Sequence, residues 1–376
     1  MPTRDDLHPL TVLAVAGSGR LGGSEIALGE FLKHRPAGVE PHALLVEDGP
    51  LRAHLVERGI PVWTAAGHGG RPGLTHMGRF TRSLGRLLRE LRPDVVWAVG
   101  LKAATLAAPA CRLTGIPLMW QKVDFWLDEQ VAKPLGLAVS GVVSVSEAAA
   151  EALGPLKGRR LVAVVGPPVG LPSDLRVTPQ ADPLAIGTLG GLIPYKGQHH
   201  IIQAAALLSA EFPDLRVVLA GEGWRVYPGH PAALRELAQE TGLGDRVEFP
   251  GFVDAASVLA RLTVFVNATY RDEDGCGWEG LSGAMLEASW AGLPVVATRG
   301  GGTAEGVRDG ITGTLVDEAD PERLATAIAP YLRDHDLARR TGAAGAGFAR
   351  EHFASEVVAE RLFGTLARLA EGRGGA

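Results

Sequence analysis

Cysteine is nearly missing from this sequence: Cys111 and Cys276 are the only two among 376 residues, and neither belongs to a closely spaced metal or redox motif. A reduced, cytoplasmic setting is the expectation. Long hydrophobic runs are missing too. The first apolar stretch, Thr11 to Ala16, follows an acidic, Pro-containing leader and is too short for a signal sequence or a membrane span, so it reads as a strand. Basic clusters are equally scarce. The formal net charge is −5 with Lys and Arg scattered, which argues against a nucleic-acid partner, and no Lys/Arg-rich amphipathic segment speaks for a helix lying on a membrane. Neither a short-period repeat nor a low-complexity tract is present.

What is there is alternation. Short β-branched runs such as Thr11–Ala16, His42–Val46, Val95–Ala98 and Pro117–Gln121 are separated by helical patterns at Gly23–Leu32, Thr81–Leu91 and Ala103–Leu113. That order implies parallel sheets. The rhythm stops at the breaker-rich stretch from Gly166 to Pro172 and resumes with Leu184–Leu189, Gly197–Ala210, Leu215–Ala220, Val264–Asn267, Ser282–Ala291 and Pro294–Ala297. Two doubly wound α/β domains of the Rossmann type, residues 1–170 and 171–376, are expected, with a helical tail near Ala343–Leu369 returning to the first.

Two glycine loops and one pair of acids carry the chemistry. Gly17-x-Gly19-x-x-Gly22, followed by Gly23, leads from a strand into a helix, so its bare amides suit a diphosphate. A nicotinamide enzyme, a sugar-nucleotide enzyme and a plain tight turn all use such a loop. Gly190 to Gly197 repeats the arrangement in the second half and adds a cation, Lys196. Further on, Glu279 and Glu287 bracket Leu281, Ser282 and Gly283 at a helix start. Were the intervening segment mostly helical, the acids would stand roughly 12 Å apart, the reach from a ribose across a diphosphate to a sugar. Free amides near Leu281–Gly283 would accept phosphate oxygens, and Ser282 suits either that role or an N-cap.

The run from Gly187 to Ile328, with Lys196-Gly197, Leu219-Ala220-Gly221-Glu222-Gly223, Phe249-Pro250-Gly251, the Glu-x7-Glu spacing, Ala291–Thr298, Gly301–Glu305 and Asp309–Gly313, resembles glycosyltransferase family 4, the group 1 glycosyltransferases. The resemblance implies a GT-B fold of two facing Rossmann-like domains. It also implies a nucleotide-diphosphate sugar between them, and transfer with retention and without a metal or other cofactor. Carried over by position, Glu287 would bind the ribose, Glu279 the donor sugar near its anomeric carbon, and Lys196 with Gly190 the diphosphate. Gly22 and Gly23 would approach the diphosphate from the first domain, and the loop at Phe252-Val253 would hold the base.

Two positions depart from the family pattern. Gly191 stands where an arginine is usual, with Arg20 or Lys102 as substitutes, and Val123 stands where an active-site histidine is usual. Asp124 is then the candidate for handling the acceptor proton or sugar hydroxyls. Arg71, His76 and Arg79 belong to a polar loop on the acceptor side, and Trp120 and Trp126 would either stack on a ring or fill the core. The expected acceptor is a small molecule, glycan or lipid, in a natural-product or cell-envelope pathway, and the expected self-association is a homodimer. The competing readings are a catalytically impaired binding protein of the same fold, a sugar-nucleotide epimerase and a nicotinamide-dependent dehydrogenase.

Overall fold

The computed structural model describes residues 9–65, 74–125, 131, 133–179, 182–271, 277–317 and 320–372. In chain order the elements up to residue 164 are β1 (Leu10–Ala16), α1 (Gly23–Lys33), β2 (Val39–Leu45), α2 (Pro50–Val56), β3 (Val62–Thr64), α3 (Leu74–Leu91), β4 (Val95–Val99), α4 (Gly100–Thr114), β5 (Leu118–Lys122), α5 (Lys133–Ala138), β6 (Gly141–Ser144), α6 (Glu147–Glu151), α7 (Lys157–Arg160) and β7 (Leu161–Val164). After them come β8 (Ala185–Leu189), α8 (Gln198–Leu208), β9 (Arg216–Ala220), α9 (His230–Glu240), β10 (Val247–Gly251), α10 (Ala255–Leu259), β11 (Val264–Asn267), α11 (Gly283–Ala291), β12 (Val295–Thr298), β13 (Gly313–Val316), α12 (Pro321–Arg333), α13 (His335–Phe353) and α14 (Ser355–Glu371).

These elements form two compact units, residues 1–168 with 355–376, and residues 169–354. The first is built on a parallel seven-stranded sheet ordered β3-β2-β1-β4-β5-β6-β7. Strand β1 explains why both faces must be covered. Leu13 and Val15 enter a core with Phe80, Leu84 and Leu88 of α3 and the alanines of α4, while Val12, Ala14 and Ala16 enter another with α1, α2 and α14. A side-chain period of two on a strand apolar throughout Val12–Ala16 requires helices on each side. The C-terminal helix α14 supplies Val358, Leu362 and Phe363 to that second core, where the Trp97 ring meets Phe31 and Phe363 edge-on at 5.8 and 6.2 Å. Trp97 also donates its indole N–H to Gln121 Oε1 at 3.0 Å, so the polar end of the ring is satisfied inside the core.

The second unit is a parallel six-stranded sheet ordered β10-β9-β8-β11-β12-β13. Val217 and Leu219 of β9 pack with α8, α9 and α12, and Val218 and Ala220 pack with α10, α11 and α13. The two-domain, doubly wound expectation is met. Of the two tail helices expected to return to the first domain, only α14 is grouped with it. Helix α13 stays in the second unit, where Gly342 lies so close to Gly292 O that a Cβ would stand 1.9 Å from it.

One expectation is overturned. Helix α3 begins at Leu74, seven residues before the start expected from sequence, and once Arg79 is included it is a basic amphipathic helix. It is a Lys/Arg-rich amphipathic segment of the kind the sequence reading did not find, although Arg82, Arg86 and Arg89 already lie within the expected Thr81–Leu91 helix. Among the described residues no helix is long and apolar enough to cross a membrane.

Candidate functional site

In an open parallel sheet, ligands settle at the carboxyl ends of the strands where the strand order reverses. In the second unit that point lies between β8 and β11, and Lys196 and Glu279 meet there. Gly190, at φ +143°, turns the chain out of β8, and its N–H donates to Ala220 O at 2.9 Å. A 3-10 turn over Pro194–Lys196 follows and ends on Gly197, at φ +66° and packed on β11's exit: a Cβ there would stand 2.0 Å from Ala268 O. Glycine is required at that position. The turn fixes Lys196 so that its Nζ pairs with Glu279 Oε1.

The other carboxylate oxygen is held from the end of β11. Asn267 Nδ2 donates to Glu279 Oε2 at 3.0 Å and Thr269 Oγ1 at 3.3 Å, while Gly302 N donates to the Glu279 carbonyl at 3.0 Å. Asn267 Oδ1 in turn accepts from Thr269 N at 3.1 Å, and Thr298 Oγ1 donates to the Thr269 carbonyl. Asn267, Thr269 and Thr298 are all buried. Burial pushes the Lys196 ammonium down to about 8, and the carboxylate against it acts in the opposite sense by favouring the charged form. Just before Glu279, Trp278 adopts φ +57°, a left-handed backbone rare for a bulky residue, with the Arg271 guanidinium 5.1 Å from its ring. Local strain of order 1–2 kcal/mol is held at the residue preceding the central acid.

Helix α11 begins at Gly283. Only Gly283 to Glu287 of the segment between the two acids is helical, about 6 Å of rise, so the premise behind the 12 Å spacing does not hold. Ser282 occupies the N-cap position without a side-chain capping bond, and a Cβ on Gly283 would meet nothing within 4 Å. The positive end of α11 is thus open. Glu287 is half-buried, one turn into the helix. After β10, Val253 is 38% exposed beside the exposed Phe252, and after β9 Trp224 and Val226 are exposed as well. Trp224 also explains how Gly191 is accommodated: its indole Nε1 lies 2.6 Å from where a Cβ at 191 would stand, so an arginine there and this indole exclude one another.

Sequence reasoning missed Asn267, Thr269, Thr298 and Trp224. A polar Asn-x-Thr closing a buried apolar strand was the available signal for the first two. It also missed an aromatic knot after Lys196, in which the His199 ring lies tilted against His200 at 3.9 Å and meets Tyr270 edge-on at 5.6 Å, while Tyr270 N donates to Tyr195 O at 2.9 Å. Burial, then the neighbouring histidines, push His199 down to about 4, so the knot is neutral and adds no cation.

In the first unit, Gly22 caps α1 and Gly23 leaves open space. The Glu25 carboxylate approaches within 2.8 Å of where a Gly22 Cβ would stand, and burial raises its pKa, an acidic neighbour for a loop expected to meet phosphates. Lys102 is engaged by Glu47, and Arg20 is exposed. At the end of β5 the fully buried Lys122 donates to the Asp124 carbonyl at 2.6 Å, which fixes the Asp124 backbone beside Val123. Trp120 is core, Arg79 lies on the exposed face of α3, and Arg71 and Trp126 lie outside the described residues. His76 falls within α3, and its side chain also lies outside the description. Among the described residues no group of three His, Cys, Asp or Glu is arranged to hold a metal ion.

A family model for group 1 glycosyl transferases matches residues 183–334, and one for a glycosyl transferase 4-like domain matches residues 22–168. The GDP-mannose-dependent alpha-(1-6)-phosphatidylinositol monomannoside mannosyltransferase of Mycolicibacterium smegmatis is 33% identical over 188 residues, 49% of this chain and 48% of that protein. The D-inositol 3-phosphate glycosyltransferase of Streptomyces scabiei is 33% identical over 205 residues, 50% of this chain and 44% of that protein. The chain spans about half the length of the curated relatives it matches. HepE of Anabaena, solved with UDP and glucose, shares the fold at a TM-score of 0.80 and 22% identity, over 95% of this chain and 99% of that one.

Proposed function

The chain belongs to the group 1 glycosyltransferases, and from that premise we propose that it transfers a sugar, with retained anomeric configuration and without a metal, from a nucleotide-diphosphate donor to a hydroxyl acceptor. The observation that carries this reading is the Lys196–Glu279 pair at the strand-order reversal of the second unit, with Asn267 and Thr269 on the second carboxylate oxygen.

The chemistry follows from charge. As the bond between the anomeric carbon and the diphosphate breaks, negative charge grows on phosphate oxygens and positive charge on the sugar ring. Lys196, the Gly190 turn and the amides at Leu281, Ser282 and Gly283 meet the first. Glu279, aimed by the Asn267–Thr269 web, meets the second. Glu287 binds the ribose, and Val253 with its exposed apolar neighbours receives the base. Within the first unit, Gly22 and Gly23 offer amides suited to phosphate, and Asp124 a carboxylate suited to an acceptor hydroxyl. The relatives' use of GDP-mannose and of inositol-bearing acceptors, and the UDP held by HepE, support a nucleotide-sugar donor and a polyol or lipid-linked acceptor.

Calorimetry of the whole chain with UDP-, GDP- and ADP-sugars tests the reading. One base should bind, Glu287→Ala should weaken that binding about ten-fold, and Glu279→Gln should leave binding within a few-fold while lowering turnover on the order of 100-fold. Absence of binding to every donor sinks the proposal. Donor binding with no transfer to any of a broad panel of hydroxyl acceptors favours an impaired binding protein instead, the reading that Gly191 and Val123 motivate.

A further inference from the structure

Helix α11 starts at the donor site and ends, nine residues on, at a pocket of about 250 Å³ within the second unit. Three arginines line that pocket and no acid does. Its floor is the end of α11, Ala291 and Gly292, the latter at φ +98°. One wall is the segment 176–179, pinned to the floor by Val177 N donating to Ala291 O at 2.7 Å. The other is a face of α13 on which Arg339, Ala343, Ala346 and Arg350 follow at intervals of four, three and four residues. Small side chains between two arginines leave the space open.

The guanidiniums are short of partners. Arg350 donates through Nη2 to the Leu175 and Trp290 carbonyls at 3.1 and 2.7 Å, which holds its fork in place, but its Nε is buried and has no acceptor. Arg176, which is exposed, bonds to the nearby carbonyls of Ser173 and Leu175. Among the described residues neither has a carboxylate partner, whereas Arg216 and Arg261 share Glu248 and Arg333 holds Glu211. Only Arg339 has one, the exposed Asp336. Burial, and then the charge of Arg176, push the Arg350 pKa down, so two like charges face each other with nothing between them. Capping of the α11 C-terminus accounts for Arg350 Nη2. It does not account for Arg176 or for the orphaned Nε.

We propose that this pocket binds the phosphate group of a small phosphorylated metabolite, with the phosphate between Arg176 and Arg350 and the hydroxylated body over Ala343 and Ala346. Guanidinium forks match phosphate oxygens in pairs. The volume lies below the roughly 300–1,000 Å³ of sites for drug-sized ligands, which suits a phosphate on a short polyol or sugar. No aromatic ring lines the pocket, so a nucleotide base has nothing to stack on, and no apolar anchor invites a protein partner. The length of α11, about 13 Å, separates this site from the donor diphosphate. The inference does not rest on the donor-site reading, and its failure would leave that reading intact.

Calorimetry of the whole chain with glycerol 3-phosphate, ribose 5-phosphate, inorganic phosphate and glycerol tests it, with hydrogen exchange to locate the ligand. The phosphate compounds should bind and glycerol should not, and the amides of residues 175–179, 291–293 and 343–350 should gain protection. Arg176→Gln and Arg350→Lys should each weaken binding about ten-fold, through loss of a charge-assisted bond and of the fork respectively. Arg340→Gln, at an exposed neighbour outside the pocket, and Lys196→Ala should leave it within a few-fold. If Arg350→Lys melts early, Arg176→Gln carries the test by itself. Inorganic phosphate binding more tightly than either ester supports the site and assigns it to the free anion. Absence of binding by every phosphate compound at millimolar concentration overturns the proposal. Wild-type affinity in Arg176→Gln, or protection confined to residues 190–197 and 283–287, does so as well.

Discussion

Lys196 is where protonation and donor binding meet. Burial lowers its pKa to about 8, and a diphosphate is attracted by the ammonium and not by the free amine. Donor affinity should therefore be full below pH 7 and fall as pH rises through that value, by up to about ten-fold between pH 7 and pH 9. Calorimetry across that range reads the effect, and Lys196→Arg should flatten the profile, since a guanidinium stays charged throughout. A flat wild-type profile would remove Lys196 from the diphosphate. The neighbouring glycine makes a separate claim, on stability. Gly197→Ala meets both a left-handed backbone and the Ala268 carbonyl, and should destabilise the protein by more than about 2 kcal/mol in urea unfolding. Lys196 and Glu279, which the structure brings together, stood out in the sequence as charged residues beside glycines, and Glu287 by its spacing from Glu279. Asn267, Thr269 and Trp224 were not, because what they touch lies in other elements, after β8 and before α11.

At the level of elements, α14 decides whether the first unit can close its core. Its Phe363 packs on Trp97 and its Val358 and Leu362 cover one face of the sheet. Phe363→Ala should cost about 3–5 kcal/mol, with loss of protection in hydrogen exchange concentrated in β1, β4 and α14, in unit one and not in β8–β13. Equal loss in both units would mean that the two do not unfold separately. Long periodic helices and buried strands such as β1, β4, β8 and α11 were readable from their pattern. Strand β3 has three residues, and β13 is a four-residue strand whose burial alternates. Neither offers a run long enough to separate from a loop. Helix α3 was cut short because Gly78 dilutes the propensity of its first turns.

For the whole molecule, the question is where a bound donor acts. If the second unit holds it, a saturating nucleotide-sugar should raise the melting temperature and protect the amides of residues 190–197 and 277–287 from exchange, with α8 to α11 responding more than α3 and α4. Protection confined to residues 17–23 would move the nucleotide to the first glycine loop. The sequence by itself determined the class of the fold, since alternating apolar strands and amphipathic helices bury their faces only as layered parallel sheets, and it determined the family, since spaced glycines and acids survive as one-dimensional patterns. Tertiary structure alone decided which groups aim Glu279, that a tryptophan covers Gly191, and that α13 and α14 part company. Each of those depends on residues brought together by strand order and helix phase, distances that no local stretch of sequence encodes.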